Sequence, residues 1–173
     1  MAVFLFLAVG VAIGGWTGAL WAILCIFLTS GLSLVYLYRL ARSGRVRDPR
    51  RIPRSERVGP LRVVAGLYVL AFLTLTLLGG PPELRAMLLA FALATILFAF
   101  STPFTNPSLH IAGISGTAIC VSYVFGAWGV PVALFILPVW WARTVLDRHT
   151  PLELALGMLI GTLSTWFSFE MLA

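Results

Sequence analysis

Two histidines, three arginines and one glutamate stand in this chain at spacings that could do chemistry. The stretch Trp141-Ala-Arg-Thr-Val-Leu-Asp-Arg-His149-Thr-Pro-Leu-Glu153 sets Arg143, His149 and Glu153 at the mouth of an otherwise apolar helix pair. Upstream, Asn106-Pro-Ser-Leu-His110 holds the other histidine. A third polar island, residues 39–62, carries nine of the twelve basic residues, Arg50 and Arg57 among them. Ionisable groups gathered in this way in an apolar chain mark functional sites. Arg50, Arg57 and Arg143 have the charge to surround a phosphoryl group and neutralise what develops on its equatorial oxygens. Ser108, with the amides of Leu109 and His110, falls at a predicted helix N-terminus, where free N–H groups and the helix dipole favour an anion. An imidazole at His110 can pass a proton to a leaving group and take one from water.

Each feature also has a plainer reading. Arg39, Arg42, Arg45 and Arg47 suit a positively charged anchor loop. Arg143, beside Trp140-Trp141 at the end of a span, is costly unless it snorkels or binds something. Asn106 or Ser108 serves as an ordinary helix cap, and Thr150-Pro-Leu-Glu153 is a well-formed capping box with proline at the first helical position. Asp147 and Arg148 read as solvated loop charges. The absence of lysine matches a preference for planar phosphate contacts, and equally a GC-rich coding bias.

The elements that must position these groups follow from composition. Of 173 residues, 60% are hydrophobic and 10% charged, with mean hydropathy +1.00 and net charge +6. These values exclude a soluble domain and predict an all-α polytopic membrane bundle. At roughly 20 residues per crossing the length supplies about six spans, in a single domain over residues 1–173 with no room for a soluble second one. Cys25 and Cys120 lie in apolar runs without metal-ligand spacing, so neither a disulfide nor a metal site is expected. The N-terminus lacks a charged leader region and reads as a retained anchor, not a signal peptide.

Gly14-Gly15 predicts a break between a short first segment, 2–13, and a full helix over 17–40; a single kinked span is the alternative. Residues 41–60, with Pro49, Pro53, Gly59 and Pro60, predict the main loop. Spans follow over 61–79 and 84–101, then 109–125 and 129–145 turning at Gly126-Ala-Trp-Gly129, then a last helix from Thr150-Pro151. Counting crossings returns all three polar islands to one membrane face, which favours one composite site.

These residues resemble the type 2 phosphatidic acid phosphatase superfamily, whose pattern is Lys-x6-Arg-Pro, Pro-Ser-Gly-His and Ser-Arg-x5-His-x3-Asp. Here the elements read Arg50-x6-Arg57-Val58, Pro107-Ser108-Leu109-His110 and Ala142-Arg143-x5-His149-x3-Glu153. Order, spacing and parity match over about residues 50–153. Arg50, Val58, Leu109, Ala142 and Glu153 depart from the pattern. The resemblance implies a metal-independent lipid phosphate phosphatase, without cofactor, working through a phosphohistidine. His149 would be the nucleophile, Glu153 would orient it, and His110 would protonate the leaving group and then activate water. Arg50, Arg57, Ser108, Leu109 and Arg143 would hold the phosphoryl oxygens. The expected partners are a lipid phosphate, with isoprenoid or polyprenyl (di)phosphates favoured over phosphatidate-type lipids, and the membrane lipids; nucleic acid is not expected. A reading from another class is a non-enzymatic transporter or lipid-binding protein whose arginines serve topology and head groups. Eleven of the twelve arginines fall on the motif face and only Arg85 on the other, so the positive-inside rule puts the site on the cytoplasmic side of the cell membrane.

Overall fold

A computed structural model describes the backbone of residues 2–43 and 54–173, and the side chains of 2–43 and 58–173. Every regular element among them is helical: α1 (Ala2–Ile26), a π-turn (Phe27–Gly31), α2 (Leu32–Arg42), α3 (Arg54–Leu77), α4 (Pro82–Ser101), α5 (Leu109–Phe125), α6 (Gly129–Leu134), α7 (Ile136–Val145) and α8 (Pro151–Leu172). Five stretches are long and apolar enough to cross a membrane, and the chain is a multi-pass membrane protein.

Two of those five stretches fold back on themselves. Within Ala2–Arg42 the helix breaks at Gly14 and Gly15, and Gly15 takes φ 54°, a left-handed value that a residue without Cβ adopts at little cost. The arms then close so tightly that a Cβ on Gly18 would collide with the carbonyl of Gly10. The break falls where the glycine pair predicts it. At 1.5 Å per residue the first arm is about 18 Å long, too short for a hydrocarbon core of about 30 Å. Within Leu109–Val145 the chain turns at Gly126, and α6 and α7 run back along α5. Pro138 breaks the returning arm: its ring clashes with the carbonyl of residue 134, and the helix interrupts at Phe135.

The reading of 41–60 as loop needs correction. Helix α3 begins at Arg54 and carries Gly59 and Pro60 inside it. Pro60 lies only two turns from the helix start, and the proline removes a single backbone bond that the rest of the 24-residue helix easily outweighs. Arg57 therefore sits near the start of a helix, and Arg50 lies outside the described residues.

Helix α8 is the axis of the bundle, packed against α4 and α5, with α3 on the far side of α4. It buries Gly157, Gly161, Ser164, Thr165 and Ser168 at near-helical spacing, a stripe of small residues. Small side chains allow close approach where lipid offers no hydrophobic drive for helices to associate. A Cβ on Gly161 would strike the carbonyl of Ala112, so α5 and α8 are in backbone contact there. Several hydroxyls within the spans fold onto their own helices: Thr29, Thr95, Thr117 and Ser168 each donate to the carbonyl four residues back, at 2.6–2.7 Å. This satisfies polar groups that the bilayer could not.

Candidate functional site

The loops at one end of the bundle bring the polar stretches 106–110 and 141–153 together. Helix α7 ends in two capping hydrogen bonds, Asp147 N–H to the Thr144 carbonyl (3.1 Å) and Arg148 N–H to the Arg143 carbonyl (3.2 Å), with Asp147 at φ 48°. This is a Schellman ending with aspartate where glycine is commonest. The same pair of bonds closes α3 around Gly79. Asp147, read from sequence as a mere solvated charge, thus reverses the chain and delivers His149 to the bundle.

Thr150 then starts α8. Its hydroxyl accepts the Glu153 N–H (3.3 Å) and the Glu153 carboxylate accepts the Thr150 N–H (2.9 Å), so the predicted capping box is formed. Glu153 does more than close the helix. Its second carboxylate oxygen accepts the Asn106 N–H at 3.2 Å, and its own backbone carbonyl accepts the Ser108 N–H at 3.1 Å. The loop that leads into α5 is therefore pinned to the first turn of α8. Gly157 completes the joint, because a Cβ there would stand 2.5 Å from the Ser108 carbonyl oxygen.

His149 is held between the two loops. Its Nδ1 lies 3.0 Å from the Asn106 carbonyl oxygen and 3.7 Å from Glu153 Oε2, and its side chain is 12% exposed. A carbonyl only accepts, so this contact puts the proton of neutral imidazole on Nδ1 and leaves Nε2 with the lone pair. The immediate orienting partner is the Asn106 carbonyl, with Glu153 acting through its grip on the N–H of the same residue. Nothing in the sequence pattern marked that carbonyl, since it belongs to the backbone.

His110 stands exposed in the first turn of α5 and lies within the electrostatic reach of Arg143 and His149. Arg143 occupies the last turn of α7, half-buried, and makes no ion pair among the described residues. Ser108 is wholly buried at the N-cap, and its hydroxyl caps nothing and has no hydrogen-bond partner. Its N–H is already given to Glu153, so the open donors at this helix start are the amides of the first turn, Leu109 and His110. Of the eight residues expected to form the site, the structure brings together Ser108, Leu109, His110, Arg143, His149 and Glu153. Arg57 is described in its backbone only, and Arg50 is not described.

Two concavities flank this assembly. A shallow polar depression of about 360 Å³ is walled by Thr144, Arg148, His149, Thr150 and Glu153. A deeper cavity of about 330 Å³ opens between α1, α3, α4, α5 and α8, its lining mostly apolar. Among the described residues no three His, Cys, Asp or Glu side chains converge as metal ligands.

The fold and composition define a multi-pass helical membrane protein with a polar loop cluster among the described residues. No protein-family model, curated protein or solved structure matches the chain.

Proposed function

We propose that the protein is a lipid phosphate phosphatase of the cell membrane. The observation that supports this most is that Arg143 and His149, from α7 and the α7–α8 loop, lie within electrostatic reach of His110 on α5, with His149 held through Nδ1 by the Asn106 carbonyl. Such a contact leaves Nε2 free as a nucleophile, the arrangement by which a neighbouring acceptor activates a histidine. Nε2 attacks phosphorus as the P–O bond to the lipid breaks, and His110 gives its proton to the departing oxygen. His110 then takes a proton from water, whose oxygen attacks phosphorus; the P–N bond breaks, and inorganic phosphate leaves.

Arg143, Arg57 and Arg50 supply positive charge for the equatorial oxygens, together with the Leu109 and His110 amides. The buried Ser108 hydroxyl, lacking a partner, is an additional donor beneath them. The substrate pairs an anionic head with hydrocarbon, and the compact polar cluster suits isoprenoid (di)phosphates better than lipids with elaborate head groups. The arginine bias puts this reaction at the cytoplasmic face.

The deciding experiment is phosphate release from a panel of lipid phosphates by purified protein in detergent with chelator present. Release from at least one, abolished in His149→Ala, is expected. No release from any would remove the reading in favour of a transporter or lipid-binding role.

A further inference from the structure

The deep cavity begins where the polar cluster ends. Leu109, directly between Ser108 and His110 in sequence, lies on its rim with Leu61 and Phe98. From there the space follows α5 through Ala112, Gly113 and Gly116 to Cys120, about 16 Å at 1.5 Å per residue. Its walls are made mostly from small and apolar residues of five helices, α1 contributing Leu5. Of the four hydroxyls on its lining, those of Thr95 and Thr117 are already spent on their own helices at 2.7 Å, which leaves only Tyr68 and Thr165 as polar groups on an otherwise apolar wall. Each ordered water needs two to four polar partners, and two hydroxyls spread over a slot of this size cannot keep it filled with water.

We propose that this slot holds the single hydrocarbon chain of a lipid whose phosphate sits at the His110–Arg143–His149 cluster; the identity of the head group rests on the phosphatase reading. The volume limits the guest. An engineered apolar cavity of about 150 Å³ holds one benzene, so about 330 Å³ corresponds to roughly a dozen carbons. That suits one chain of isoprenoid length and leaves no space for the second chain of a diacyl lipid. Carbons beyond that length would leave the slot between helices and lie in the bilayer.

Gly113 offers a direct test. It lines the slot, and nothing stands within 4 Å of where its Cβ would be, so a side chain can be started there without a clash at Cβ and is placed to take up space in the slot. Gly66 on α3 has equally open space but faces away from the slot, and it serves as the control. Decylphosphonate, whose P–C bond the proposed reaction does not cleave, is titrated calorimetrically into wild type, Gly113→Phe and Gly66→Phe in nanodiscs.

Chain length alone would not separate slot from bilayer, because both are apolar; the comparison of variants does. Gly113→Phe is expected to weaken binding by about tenfold or more, the equivalent of displacing two methylenes, while Gly66→Phe binds as wild type does. Equal affinity in Gly113→Phe and wild type, or no binding by wild type, overturns the slot. Binding is read without turnover, so the two readings fail separately. Slot-dependent affinity with no phosphate release from any lipid sinks the phosphatase alone, whereas release with unaltered Gly113→Phe affinity sinks the slot alone. Should Gly113→Phe not fold, wild-type competition between decylphosphonate and a didecanoyl phosphatidate decides. Preference for the single chain is expected, and equal competition overturns the proposal.

Discussion

The carboxylate of Glu153 and the peptide N–H of Asn106 meet at 3.2 Å across 47 residues of sequence, and this one contact ties the loop before α5 to the first turn of α8. The same peptide unit's neighbourhood holds His149, through the Asn106 carbonyl at 3.0 Å. Cap, loop and imidazole therefore form a single mechanical unit.

It follows that Glu153→Ala removes both a helix cap and the loop clamp. A loss of about 1–2 kcal/mol is expected from cap and hydrogen bond together, read as a lower thermal midpoint in detergent. Glu153→Gln retains one acceptor oxygen and should lose less stability. Turnover should fall in both, and more than stability does in Glu153→Gln. Full activity in Glu153→Ala would mean that the clamp is irrelevant to chemistry.

His149→Ala and His110→Ala should both fold and lose turnover, by a factor of about 10²–10⁴ for the proton-transfer role of His110. Only His149→Ala should fail to form an acid-labile phosphoenzyme; His110→Ala should accumulate it when the substrate has a good leaving group such as p-nitrophenolate. A phosphoenzyme in His149→Ala would assign the nucleophile elsewhere.

Arg143 has no anionic partner among the described residues, whereas Arg42 lies over the ring of Tyr38 at 4.9 Å. Vanadate inhibition should weaken in Arg143→Ala and Arg57→Ala by about 1.5–3 kcal/mol each, the range for a hydrogen bond to a charged group. Arg42→Ala should leave it unchanged. Equal losses at Arg42 and Arg143 would point to a general field of positive charge and not to a site.

At Asp147 the backbone is left-handed, φ 48°, with no glycine to relieve it. Asp147→Gly should be neutral or stabilising, and Asp147→Val should lower stability by about 1–2 kcal/mol. Turnover in Asp147→Val should drop as well, because the turn carries His149. The reverse order of thermal midpoints would show that the Asp147 side chain, not the backbone, controls this turn.

Orientation is accessible through Ser43, exposed at the end of α2. Cys25 and Cys120 are buried and are replaced for the experiment. Ser43→Cys should resist an impermeant thiol reagent in intact cells and react after permeabilisation. Labelling of intact cells would turn the site outward while leaving its chemistry untouched.

The sequence by itself determined the membrane class, the helical architecture and most element ends. Hydropathy over about 20 residues is a local property, and glycine and proline act on their own backbone, so Gly14-Gly15, Gly126 and Pro151 could be read without a fold. The capping box at Thr150 and Glu153 was legible for the same reason. Pro60 misled because a proline early in a long helix loses one bond against many neighbours, and that balance is set by the whole of α3. Parity of crossings predicted a shared face for the polar islands, but not the contacts that join residues 106–110 to 149–153. Only the tertiary structure decided that Asn106 orients His149, that Ser108 is buried under Gly157, and that Glu153 clamps two loops. Those relations join residues more than 40 apart through backbone groups, which every residue carries alike and which no residue pattern can mark.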